Sequence, residues 1–213
     1  MKILVIDDRQ IHRDAALAQL SKHDVTVACS HDEALELLDE AYWLAQNAAS
    51  KLLDEQGPSW PEEDDPDKDQ KRQQRIAARN HLVRAQYGYD AVLCDLLMPA
   101  GKDAQGDEGM AFVGQEVPVG FALALTAALH GAKYVAVVTD TNHHSHPASA
   151  MLDRIKTEGR YDHSTNIPRP GGARFEVNGS RLAFIQQGVP EGEAKQWGEV
   201  LKGLVEQEVQ PQI

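Results

Sequence analysis

Short apolar runs separated by helix-length amphipathic segments recur along this chain, and that alternation restricts it to strands joined by helices over a mostly parallel sheet. Ile3 to Ile6 reads as a first strand, Gln10 to Leu20 as a first helix and Val25 to Cys29 as a second strand. A long helix follows from Asp32, with Ser30 as its N-cap and Glu33 completing a capping box. Ala91 to Asp95 is a third strand and Lys133 to Thr139 a fourth. The apolar stretch between them, Val117 to Leu129, is too short for a membrane span of about 20 residues and reads as a core helix. Arg181 to Gln186 is a fifth strand, preceded by Arg174 to Val177 across Asn178-Gly179, a type I′ hairpin signal that adds an antiparallel strand. The last helix, about Glu191 to Glu208, places Ala194, Trp197, Leu201, Leu204 and Val205 on one face.

The length of 213 residues suits a single α/β domain with one core spanning 1–213. One segment departs from the strand–helix rhythm. The stripe Leu35, Leu38, Ala41, Tyr42, Ala45, Ala48 and Leu52 continues past ordinary helix length and breaks at Gly57, Pro58 and Pro61. An acidic run from Glu62 to Asp69 follows, and Lys71 to Ala85 is helical again. Tyr42 to Gln86 is therefore read as an inserted helical hairpin with an exposed acidic tip, either a solvated protrusion or a seat of partner specificity. A net charge of -12 repels nucleic acid and anionic membranes, and no basic patch offsets it, so neither is expected as a partner. Cys29 and Cys94 each fall in a strand expected to be buried, with no disulfide or zinc spacing, which fits reduced thiols in a cytoplasm. Ile3 to Ile6 is far shorter than a secretory apolar region. No GxGxxG, Walker or G-x-S-x-G pattern occurs.

In an open parallel sheet, chemistry gathers beyond the carboxyl ends of the strands. Here those ends are acidic: Asp7-Asp8 after the first strand, Asp95 after the third and Thr139-Asp140 after the fourth. Carboxylates brought together repel and raise one another's pKa unless a cation joins them. Magnesium suits such a set, because it takes one or two carboxylates, keeps waters and bridges to phosphoryl oxygens. An aspartate beside that ion can attack phosphorus to form an acyl phosphate, and Asp95 is the candidate.

Asp7-Asp8, then Asp95-Leu96-Leu97-Met98-Pro99, then Thr139, in this order and on these strands, resemble the receiver domain of two-component signalling, and Arg13 falls where receivers often place a basic residue. The resemblance covers Met1 to about Asp39 and Tyr89 to Pro99 well, and Lys133 to Thr139 adequately. It implies a three-layer, doubly wound, five-stranded sheet of order 2-1-3-4-5, as in flavodoxin and CheY, with the hairpin strand added. It also implies Mg2+ held by Asp7, Asp8, Asp95 and the main-chain carbonyl of Leu97, phosphorylation on Asp95, and a switching hydroxyl on Thr139. A sensor histidine kinase or phosphotransfer protein would donate the phosphoryl group, and an output protein would read the result by contact.

Two departures stand out. Ala100 to Glu108 lengthens the loop before Gly109, where receivers start a helix soon after Met-Pro. The lysine that receivers carry after strand five aligns with Gln186 or Gln187. Lys133 opens the fourth strand at the wrong end, which leaves Lys102, Arg169 and Arg174 as substitutes. A loop foreign to receivers follows Thr139, where Asp140, His143, His144 and His146 offer a candidate second site for a transition metal, or a contact to the phosphoryl group or a partner. Three readings follow: a stand-alone receiver, a metal-dependent phosphohydrolase using the same carboxylates with the His143 to His146 loop, and a pseudo-receiver that signals without phosphate.

Overall fold

A computed structural model describes residues 1–103, 105–140, 146–148, 150 and 172–206. Six strands form the main sheet: β1 (Lys2–Ile6), β2 (Asp24–Ala28), β3 (Ala91–Asp95), β6 (Tyr134–Thr139), β7 (Gly172–Val177) and β8 (Ser180–Gln186). Their order is β2-β1-β3-β6-β8-β7. The first five are parallel, and β7 pairs antiparallel with β8 at the edge. This is the expected 2-1-3-4-5 arrangement with one added strand. The hairpin turn is as Asn178-Gly179 foretold, with positive φ of 51° and 77° at its two central residues.

Because side chains alternate across a strand, the central strands feed two cores. Leu4, Ile6, Val92, Cys94, Val135 and Val137 face one side, under helices α2 (His31–Gln56) and α4 (Val119–His130). Ile3, Val5, Leu93, Ala136 and Val138 face the other, under α1 (Gln10–Gln19) and α5 (Trp197–Val205). The strands thus read as continuous apolar runs, as a sheet covered on both faces requires. None of the described helices is long and apolar enough to cross a membrane.

The long helix begins as its residues dictate: the Ser30 hydroxyl accepts from the Glu33 N–H at 3.2 Å, and Glu33 accepts from the Cys29 N–H at 2.7 Å. Cys29 is exposed just past β2, which corrects the expectation of a buried thiol there; Cys94 is buried in β3. After Gln56 the chain turns and returns as α3 (Lys68–Ala85). Ala45, Ala49 and Val83 pack together with Tyr42 and Leu82, a small core separate from the sheet. The acidic tip is not bare, since Glu63 pairs with Lys68 and Arg72, and Asp65 with Lys71.

Two differences from the expected layout bear on function. The lengthened loop after β3 folds back as a small antiparallel ribbon of β4 (Met98–Pro99) and β5 (Glu116–Val117). A single 3-10 turn opens at Gly109 (Gly109–Phe112), but the glycine in the first turn of the next α-helix, α4, is Gly120, whose N–H donates to the Leu96 carbonyl at 3.1 Å. A β-carbon there would lie 1.9 Å from the Asp95 carbonyl oxygen, so only glycine lets the helix approach. The last helix starts at Trp197 rather than near Glu191, leaving 187–196 as a loop. Pro147 and Ser149 read in the sequence as the start of a helix to about Lys156, a segment that lies largely outside the described residues.

Candidate functional site: an acidic cleft closed by a buried lysine

The chain reverses its direction of sheet growth between β1 and β3, and the crevice at their carboxyl ends is where such sheets place ligands. Asp7, Asp8 and Asp95 meet there, each offering a carboxylate oxygen within 4.8 Å of the others. Asp7 and Asp95 are buried, while Asp8 is partly open. Asp95 aligns with Val138 across the sheet, which sets Thr139 and Asp140 one and two steps further along the same edge. A cleft of about 180 Å³ opens on this edge, lined by Asp8, Arg9, Asp95, Leu97, Glu116 and Asp140. A larger cavity of about 490 Å³ lies between β2 and α2, remote from the carboxylates. Ionisable groups converge in the smaller cleft, and convergence of chemistry outweighs size.

The cation that does not follow β8 directly is supplied by Lys195. Its side chain is fully buried, with Nζ 2.7 Å from Asp7 Oδ2 and 2.8 Å from Asp95 Oδ1. None of the anticipated substitutes takes this place. Lys102 is exposed, with its main-chain N–H on Asp32; Arg174 sits in β7 beside Ile185 and Leu204; and Arg169 is outside the described residues. The sequence conceals Lys195 because Ala194 continues the apolar stripe of the last helix, which places the lysine on a helix that in fact starts at Trp197. A signal was present: Pro190 and Gly192 mark a turn, and Gly192 has φ of 83°, so the lysine follows a break rather than riding on a helix.

The charges explain the shifts. Burial pushes the Asp95 carboxyl up, to about 7; the Lys195 ammonium opposes that rise and the Asp7 carboxylate adds to it. Burial pushes the Lys195 pKa down, but Asp95 and Asp7 outweigh it and hold the ammonium's pKa above its ordinary range. Asp8 is raised by burial, then by Asp7, with Glu116 contributing further. Glu116 was not singled out from the sequence; the β4–β5 ribbon carries it to the cleft, and no motif signals it.

Neighbouring groups order the cleft. Asp7 Oδ1 accepts from the Arg9 N–H at 2.9 Å, and Arg13 Nη1 donates to the Asp7 carbonyl at 2.7 Å. Asp95 meets both Lys195 and the Leu96 N–H through Oδ1. Asp140 Oδ2 accepts from Arg9 Nη1 at 2.8 Å and contacts His12 Nε2 at 3.3 Å. Thus Asp140 does reach the functional edge, with His12 of α1 beside it. Of the histidine loop, His143 and His144 lie outside the described residues, and His146 Nδ1 accepts from the Ala148 N–H at 3.1 Å. Leu97 lines the cleft, and Thr139 is buried at the end of β6, its carbonyl accepting from the Gln187 N–H at 2.9 Å.

The donor set fits a hard divalent cation. It consists of carboxylate oxygens, and with all three ionised, three carboxylates against one ammonium leave two negative charges, which one divalent cation would balance. Comparison of the chain with protein-family models, curated proteins and solved structures finds no match to any of them.

Proposed function

We propose that this chain is a receiver-type phosphoacceptor: Mg2+ is held by Asp7, Asp8, Asp95 and the Leu97 carbonyl, and Asp95 takes a phosphoryl group from a sensor kinase or phosphotransfer protein. The observation that carries the reading is Lys195, a buried ammonium shared between Asp7 and Asp95 at the carboxyl edge of a 2-1-3 parallel sheet. A pseudo-receiver that signals without phosphate would have no need of such a cation, so Lys195 favours the phosphoacceptor reading over it.

The chemistry follows from the groups in place. Asp95 meets its neighbours through Oδ1, which leaves Oδ2 as the attacking oxygen. Bound Mg2+ would neutralise charge on the transferred group. Lys195 offsets the charge of Asp95 before transfer and that of the phosphoryl oxygens after it, at a cost already met in folding. Thr139, at the next register position along the edge, would sense the new group and change the packing of the surface above β6, which an output protein would read.

Incubating the purified chain with acetyl phosphate and Mg2+ tests this. Hydroxylamine-labile phosphate that is lost in Asp95→Asn supports the reading. No label on Asp95 overturns it, and release of phosphate from simple esters would favour a hydrolase.

A further inference from the structure

Lys195 does not reach its carboxylates directly from the end of β8. Eight residues, 187–194, intervene, and a loop of that length does not by itself hold an ammonium in one place. Helix α1 fastens it. Gln19 Nε2 donates to the Lys195 carbonyl at 3.1 Å, Gln19 Oε1 accepts from the Gly198 N–H at 3.0 Å, and Trp197 Nε1 donates to the His12 carbonyl at 2.9 Å. One side chain does more than fasten. His12 is fully buried, its Nδ1 accepts from the Lys195 N–H at 3.2 Å, and its Nε2 lies 3.3 Å from Asp140 Oδ2. A peptide N–H only donates, so Nδ1 carries the lone pair and the proton sits on Nε2, aimed at Asp140. Asp140 directly follows Thr139 and is also held by Arg9 at 2.8 Å.

We propose that His12 is a positioning residue: through Nδ1 it sets the Lys195 peptide so that the ammonium stays on Asp95, and through Nε2 it ties that lysine to the end of β6. The inference rests on the phosphoacceptor reading and deepens it. Receiver chemistry requires the lysine; here its placement is delegated to a side chain on α1, because the lysine arrives on a loop. The two nitrogens have separable duties, since Nδ1 acts on Lys195 and Nε2 on Asp140.

Three variants separate them. Asparagine places an amide oxygen where Nδ1 stood and keeps the acceptor for the Lys195 N–H; glutamine reaches toward Asp140 but loses that acceptor; leucine loses both. Labelling of the full chain by acetyl phosphate is timed at saturating Mg2+, with Mg2+ affinity and melting temperature measured alongside. His12→Asn is expected to label within about threefold of wild type, and His12→Gln and His12→Leu about tenfold or more slowly, the scale of a misplaced reacting group, with Mg2+ affinity little changed. Rates that fall in all three variants in proportion to their melting temperatures, or a His12→Gln that labels at the wild-type rate, overturn the inference alone. A wild-type chain that takes no label overturns the phosphoacceptor reading and this inference with it.

Discussion

Lys195 and Asp95 form a buried pair whose two members pull in opposite directions. The lysine is held charged by its carboxylates, while burial makes Asp95 reluctant to ionise. Removing one partner of such a network leaves the other charges uncompensated, so Lys195→Met should lower stability by about 3 kcal/mol in chelator, with partial recovery in Mg2+; urea unfolding with and without the ion checks this. The sign of the pH effect follows from the folded value. Asp95 is raised above its unfolded value of 3.8 to about 7, so its contribution favours folding at low pH and is lost as pH rises through about 7. Lys195 is raised above 10.5, so its contribution is present throughout that window. In chelator, the stability of Asp95→Asn relative to wild type should therefore rise between pH 6 and pH 8. Comparing the two chains at each pH cancels His12 and the half-buried His130, whose lowered values oppose folding in acid. A gap that stays constant across that range would contradict the assignment.

At the level of elements, the ends of β1, β3 and α4 build the site, and α4 is the most constrained of them. Its first turn lies against the Asp95 and Leu96 backbone, a contact possible only without a β-carbon. Gly120→Ala should cost about 2 kcal/mol, the scale of overpacking in a close-packed interior. It should also weaken Mg2+ binding by displacing the end of β3, whereas alanine at Gly106, where nothing lies within 4 Å, should leave Mg2+ affinity unchanged. Calorimetric titration of both variants distinguishes them. Most elements were legible because periodicity reports which faces are buried: the five parallel strands, the Asn178-Gly179 hairpin and the capped start of α2 all follow from local patterns. The β4–β5 ribbon was not, because two-residue strands carry no period, and the start of α5 was not, because an apolar stripe does not say where a helix begins.

For the whole molecule, the hairpin of α2 and α3 is an extension with its own small core, joined to the rest by the first turns of α2, by the stack of Tyr42 on His130 of α4 at 4.0 Å and by Arg84, whose Nη2 donates to the Ser180 hydroxyl of β8 at 3.4 Å. Replacing 50–78 by a short linker should therefore leave the acidic cleft competent. Trp197 offers a readout, since its ring lies 5.5 Å from Lys195 Nζ while Trp43 and Trp60 are exposed on the extension. With Trp43→Phe included, the shortened chain keeps Trp197 as its single tryptophan, and Mg2+ should still change its fluorescence with a midpoint within about twofold of the full chain. A response lost with the extension would mean that the hairpin shapes the cleft.

The sequence by itself determined the sheet, its two apolar faces and the convergence of Asp7, Asp8 and Asp95, because alternation and strand-end position are local properties that survive any packing of the chain. Only the tertiary structure decided what balances those carboxylates. Lys195 stands 100 residues beyond Asp95 in a loop without periodicity, and Glu116 and His12 reach their places through a ribbon and a helix face that mean nothing until folded. Charge compensation acts through space, so its partners are set by packing rather than by spacing along the chain.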